Sequence, residues 1–270
     1  MRAYDHPAVT AALFSPEPGA TLEHTGSDRP IDVPLPGGGI AGAYWCGRRS
    51  EGPTLLVFGP GDRALSGSLD AWPRWAEDAG ANLLLVDYPG IGSSPGAPSL
   101  GAAREAASAA LRYLAGRPAD EVPSIVLVGR GAVGAAVAAV AGSECASERI
   151  AALVLEGVVT DLAAYLAGRI AWDEVDLDRD ALRRDLEGAF DVATAVARLE
   201  VPTLVLQPAF SSNAPPAAAE CLAQRCGAEV VYFDGGERLA VSDCQPDEYR
   251  RQLVRWVEAY GRPPEDPDAG

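Results

Sequence analysis

Apolar runs rich in β-branched residues alternate with alanine-rich stretches through most of the chain. Ile31 to Leu35 and Ile40 to Cys46, joined across Gly37, Gly38 and Gly39, predict an opening hairpin. Six further runs are nearly continuous in apolar residues, as strands buried on both faces require: Thr54 to Phe58, Asn82 to Asp87, Ser124 to Val128, Ala151 to Glu156, Thr203 to Gln207 and Glu229 to Phe233. Helices fit between them at Leu69 to Gly80, Leu100 to Gly116, Val133 to Gly142, Pro216 to Gly227 and Pro246 to Tyr260, each bounded by Gly or Pro. The last carries Tyr249, Leu253, Trp256, Val257 and Tyr260 at helical spacing. This alternation predicts an α/β fold with a mostly parallel central sheet and helices on both faces.

Three segments depart from the alternation. Residues 1–30 carry Pro7, Pro16, Pro18, Gly19 and Pro30 without a sustained period and read as an irregular lead-in. Residues 160–200, which include the acidic run DEVDLDRD, exceed an ordinary crossover and predict a short helical lid. Residues 261–270 read as a disordered acidic tail, leaving 31–260 as a single domain.

Composition narrows the chemistry. Among 270 residues there is no lysine, all 22 basic positions are arginine, and the only histidines are His6 and His24. A Walker-type phosphate loop, Schiff-base chemistry and a histidine-based metal site or general base from the body of the fold are therefore excluded. The formal charge of −16 opposes nucleic acid and anionic membrane as partners. Five scattered cysteines, Cys46, Cys145, Cys221, Cys226 and Cys244, form no CxxC pair and fit a reducing, cytoplasmic setting. Neither a signal peptide nor an apolar stretch of about 18 residues is evident. Lysine-free, Ala-, Arg-, Gly- and Pro-rich usage suggests a GC-rich bacterial genome. No metal or cofactor is expected.

The runs LLVFGPGD (55–62), LLLVDYPGIGSSPG (83–96), SIVLVGRGAVGAA (124–136), RIAALVLEG (149–157) and VPTLVLQ (201–207) resemble, in order and spacing, the α/β-hydrolase superfamily. The resemblance is to its small serine hydrolases with an HGN-type loop after the third strand and a GRSLGG-type nucleophile elbow. It implies a Ser-Asp-His triad in chain order and an oxyanion hole of two backbone N–H groups. At each chemical position this sequence differs. Gly131 stands where the nucleophile belongs, with Val133 at the motif's next glycine; Ser211 stands where the acid belongs; Glu237, in DGGERL, stands where the base belongs. Gly59 replaces the histidine of the oxyanion loop, followed by Pro60. Such a chain is a pseudohydrolase: losing a nucleophile or base costs on the order of a million-fold in turnover. What the resemblance leaves is the hole, with Gly61 and Ala132 offering N–H groups to an anion or carbonyl.

Other readings compete. Gly129, Gly131 and Gly134 form GxGxxG between a strand and a helix, and Glu156 ends the next strand, the pattern of a dinucleotide site. About 100 residues of hydrolase-like pattern precede it, which argues against that reading. Asp62, beside the oxyanion loop, is either a turn residue or an acid/base at the pocket mouth, as is Glu237. Ser93 and Ser94 serve the turn after Asp87; His6 and His24 pack or face solvent. Trp72 and Trp75 read as core, and Trp172 as core or a pocket wall. Cys244 lies near the former base loop without an imidazole to activate it.

The expected function is a binding or interaction role for the inherited cleft, with a protein partner or a small acyl or carbonyl ligand. The alternative is a non-hydrolytic cyclase, lyase or isomerase that moves a proton with Asp62 or Glu237.

Overall fold

The computed structural model of the chain describes residues 2–15, 29–36, 39–47, 51–65, 71–145, 147–235 and 240–262. A 3-10 turn at Ala3–Asp5 leads into α1 (Pro7–Leu13), and the hairpin follows as β1 (Arg29–Pro34) and β2 (Ile40–Cys46). Next come β3 (Thr54–Phe58), α2 (Trp72–Asp78), β4 (Asn82–Val86), α3 (Leu100–Ala115), β5 (Ile125–Arg130), α4 (Gly131–Cys145) and β6 (Ile150–Glu156). After β6 the chain forms α5 (Leu162–Ala167), α6 (Arg179–Ala189) and α7 (Val192–Leu199) before β7 (Thr203–Pro208), α8 (Pro216–Cys226) and β8 (Glu229–Phe233). It ends in α9 (Val241–Cys244) and α10 (Pro246–Tyr260).

The eight strands make one sheet in the order β1-β2-β4-β3-β5-β6-β7-β8. Pairing is antiparallel for β1–β2 and β2–β4 and parallel from β4 to β8. Strand side chains alternate between faces. Leu56, Phe58, Leu127, Leu153 and Leu155 join the core beneath α3, α4 and α7. Leu55, Val57, Val126, Val128 and Val154 join the core shared with α2 and α10. The order reverses at β3, so the crevice beyond the carboxyl ends of β3 and β5 is the place where such a sheet admits a ligand.

Helix α4 runs through the middle of one layer, buried on every side from Ala132 to Gly142. Glycine makes that closeness possible. A Cβ on Gly134 would stand 2.5 Å from the Phe58 carbonyl oxygen, and one on Gly129 would stand 2.5 Å from that of Gly134.

Two expectations are corrected. The start of the chain is not irregular: Tyr4, Val9, Leu13 and Phe14 are buried, and Tyr4 meets Phe190 edge-on at 5.2 Å. Residues 16–28, His24 among them, lie outside the described residues. The segment 160–200 is also more than a lid. Its last helix, α7, packs on α4 as a layer helix, and α6 buries Leu182 and Leu186 while Asp185 accepts from the Ala3 amide at 2.7 Å. Of the tail, 263–270 lie outside the described residues.

Candidate functional site

The loop after β3, Gly59–Asp62, is held from both sides. Tyr88 donates its hydroxyl to the Gly59 carbonyl at 2.8 Å, and the Ser15 amide donates to the Gly61 carbonyl at 3.2 Å. Gly61 has φ +92°, and a Cβ there would lie 2.9 Å from the Leu13 carbonyl oxygen. Only glycine fits, because both the backbone region and the space exclude a side chain.

The turn after β4 braces this loop. Asp87 accepts from the Leu65 amide at 2.8 Å and the Ser93 amide at 3.2 Å. Burial pushes its carboxyl above the ordinary range, against the lowering effect of those amides. Ser94 donates to the Asp87 carbonyl at 2.6 Å and accepts from the Gly42 amide at 2.7 Å. Both serines thus serve the turn, as their position in the sequence suggested.

Opposite lies the strand-to-helix turn from β5 to α4. Gly131 has φ +65°, and a Cβ built on it would stand 2.9 Å from Pro60 Cβ and 3.4 Å from Pro60 Cα. Carbon contacts sit near 3.5–4.0 Å, so the proline ring intrudes on the space of any side chain at position 131. Ala132 sits in the first turn of α4, where amides have no intrahelical acceptor. Val133 is buried and approaches Gly61.

Between these loops is a cleft of ≈ 300 Å³, lined by Pro60, Asp62, Gly131, Ala132, Ser211 and Asn213 among others. Gly59, Gly61 and Val133, also expected to bind the ligand, are not among its lining residues. Ser211 lines it with its hydroxyl accepting from the Asn213 and Ala214 amides, both at 3.2 Å, which makes it a turn residue. Asp62 is more than half exposed and lies 3.5 Å from Arg63. Glu237 falls in 236–239, outside the described residues. His6 caps α1, its Nδ1 accepting from the Ala8 amide at 3.2 Å. Trp72 and Trp75 are core residues, 5.1 Å apart. Trp172 is half-buried under Arg179 and is not among the cleft residues. Cys244 is exposed.

The floor of the cleft holds a feature that motif reasoning passed over. Arg130 and Glu156 end two neighbouring parallel strands in register, each side chain 2% exposed, and Arg130 Nε donates to Glu156 Oε2 at 2.7 Å. The other oxygen of Glu156 accepts from the amide and the hydroxyl of Ser242, both at 2.9 Å. Arg130 also donates to the Ser242 hydroxyl and lies 5.6 Å over the Trp72 ring. Burial is the largest single influence on Arg130 and works against its charge, but Glu156, Tyr249 and Asp243 together outweigh it and raise the guanidinium's pKa. Burial, then the charge of Glu156, pushes the Tyr249 phenol well above its ordinary value. Both oxygens of Glu156 are engaged within the fold and its side chain is 2% exposed, while Gly129 and Gly134 of the GxGxxG run make close contacts between strand and helix. A signal was present: charges ending adjacent apolar strands must find each other, because an unpaired buried charge is too costly.

The comparisons with known proteins agree with this architecture. The family described as Chlamydia CHLPS protein (DUF818) matches residues 61–151, the stretch from the oxyanion-type loop to the start of β6. An alpha/beta hydrolase domain-containing protein of Arabidopsis thaliana, WAV2, is 25% identical over 231 residues, covering 82% of this chain and 74% of that protein. The chain is thus similar in sequence to an alpha/beta hydrolase domain protein, and its sheet and layer helices have the α/β-hydrolase fold. Among solved α/β-hydrolase neighbours, the Pyrococcus furiosus esterase Pf2001 superposes with a TM-score of 0.68 at 13% identity, covering 92% of this chain and 97% of that one. Est1E from Butyrivibrio proteoclasticus, in a structure with ferulic acid bound, superposes with a TM-score of 0.67 at 16% identity, covering 85% and 98%. In this α/β-hydrolase fold the cleft between the β3 and β5 loops occupies the usual ligand-binding crevice. Among the described residues no helix is long and apolar enough to cross a membrane.

Proposed function

We propose that the protein is a catalytically silent α/β-hydrolase whose cleft binds a small acyl or carbonyl ligand without cleaving it. The observation that carries this reading is the contact between Pro60 and Gly131. The elbow lacks a nucleophile, and a proline fills the space that one would need. A serine turn residue at 211 supports the same conclusion, since it offers no charge to orient a base. A proton-transfer enzyme using Asp62 or Glu237 is less well supported: Asp62 is solvated beside Arg63, Glu237 lies outside the described residues, and the buried carboxylate at the cleft floor, Glu156, is committed to Arg130 and Ser242.

The test is a fluorophosphonate probe together with 4-nitrophenyl butyrate hydrolysis. The expected result is no labelling and no turnover above buffer. Labelling that one serine-to-alanine substitution abolishes, Ser211→Ala for example, would overturn the reading.

A further inference from the structure

Beside the cleft is an outer groove of ≈ 700 Å³ between the start of α5 and the start of α8. Three residues line both hollows: Tyr165, Arg169 and Asn213. Arg169 is fixed at this junction. Its guanidinium lies 3.5 Å over the Tyr165 ring, Nη1 donates to the Tyr165 carbonyl at 2.8 Å, and Nη2 donates to Asn213 Oδ1.

The charge of Arg169 sets it apart from the other arginines around the cleft. Arg130 is neutralised by Glu156, and Arg63 by Asp243 at 2.7 Å and Asp62 at 3.5 Å. Arg169 has no carboxylate partner among the described residues; its acceptors are neutral. Two of its five N–H donors are used, and the side chain is already immobilised, so a ligand meets a preorganised cation. In a chain of net charge −16, a guanidinium that faces two open hollows and meets only neutral acceptors among the described residues is a recognition feature. The positive end of α4 at Gly131 and Ala132 lines the same cleft and adds potential of the same sign.

We propose that Arg169 receives the carboxylate of a small linear organic acid, whose apolar chain lies along the outer groove. This rests on the reading of the cleft as a site that binds and does not cleave. Val159, Ala164, Pro215 and Ala217 supply apolar wall for the chain. Asp161 also lines the groove, but its carboxylate accepts from the Ala164 amide at 2.8 Å and lies 3.8 Å from Arg183. One planar guanidinium matches a two-oxygen carboxylate, whereas a phosphate dianion beside Asp161 would need more cation than Arg169 provides.

Calorimetric titration of the full chain with octanoate, and with octanamide as the neutral isostere, tests the assignment. Octanoate is expected to bind saturably and at least about tenfold more tightly than octanamide. Arg169→Gln should weaken octanoate by about tenfold or more, Arg169→Lys by less, and Arg250→Gln, at a distant surface pair, not at all. Absence of saturable octanoate binding, equal binding of the amide, or an Arg169→Gln variant that binds octanoate like the parent would each overturn the proposal. The two experiments fail separately: a silent elbow without octanoate binding overturns only the Arg169 assignment, whereas a labelled serine overturns the reading of the cleft on which it rests.

Discussion

Putting a side chain back on Gly131 separates two sources of strain that the structure predicts together. With φ at +65°, any L-residue there incurs about 1–2 kcal/mol from its own backbone. The new Cβ also stands 2.9 Å from Pro60 Cβ, a contact that the stiff ring cannot relieve by rotating, and overpacking of this kind costs about 1–3 kcal/mol. Gly131→Ala and Gly131→Ser should therefore destabilise the chain by about 2–5 kcal/mol, and by similar amounts, because the Cβ causes the loss and not the hydroxyl. Pro60→Gly removes only the second component, so the pair Pro60→Gly and Gly131→Ser should show a favourable coupling of about 1–3 kcal/mol in a double-mutant cycle. Urea unfolding followed by circular dichroism measures the parent and all four variants. If Gly131→Ala proves neutral, or the cycle gives additive costs, the steric argument is wrong. Gly131→Ser should also remain inactive toward 4-nitrophenyl esters in both backgrounds, since no imidazole lines the cleft among the described residues to deprotonate the hydroxyl.

Other outcomes follow from the same structure. Glu156→Ala strands a buried guanidinium and should cost about 3–5 kcal/mol, whereas the double change Arg130→Met with Glu156→Leu should recover much of it. Unfolding midpoints of the two variants decide this. Asp87 binds its proton more tightly in the folded chain than in the unfolded one. Between the ordinary carboxylate value and its raised folded value, its contribution to stability therefore grows as pH falls, and Asp87→Asn should remove that component from the pH profile of the urea midpoint. Iodoacetamide should modify exposed Cys244 first and buried Cys46 last, with Cys145 and Cys226 slowed because burial raises their thiols, as peptide mass mapping over time would read.

The sheet and its layer helices were legible because burial on both faces leaves long apolar runs that few other structures tolerate. Thr54–Phe58 and Thr203–Pro208 are examples in which every residue is buried. The site loops were legible as motif remnants: Gly61, Gly92 and Gly131 keep the positive φ values that their turns need. Helix α1 was not legible, since seven residues beginning with a proline give too short a period, and its stability comes from tertiary contacts of Val9 and Leu13. The packing role of α7 was hidden for a similar reason: the acidic run before it directs attention to solvent, while its apolar face meets α4 across the chain. Spacing along the sequence carries no information on how close Pro60 comes to Gly131, or on the neutral partners of Arg169. Both are meetings of distant segments.

The clasp between the Ser15 amide and the Gly61 carbonyl has a thermodynamic corollary. Ala12 and Leu13 form part of the cleft wall, so an occupant of the cleft and the docked N-terminal segment share a surface. Their equilibria are linked: whatever fills the cleft must slow the detachment of residues 3–15, and whatever loosens that segment must weaken the occupant by the same factor. Amide hydrogen exchange in α1 would then serve as a built-in reporter of occupancy, readable without knowing in advance what the occupant is.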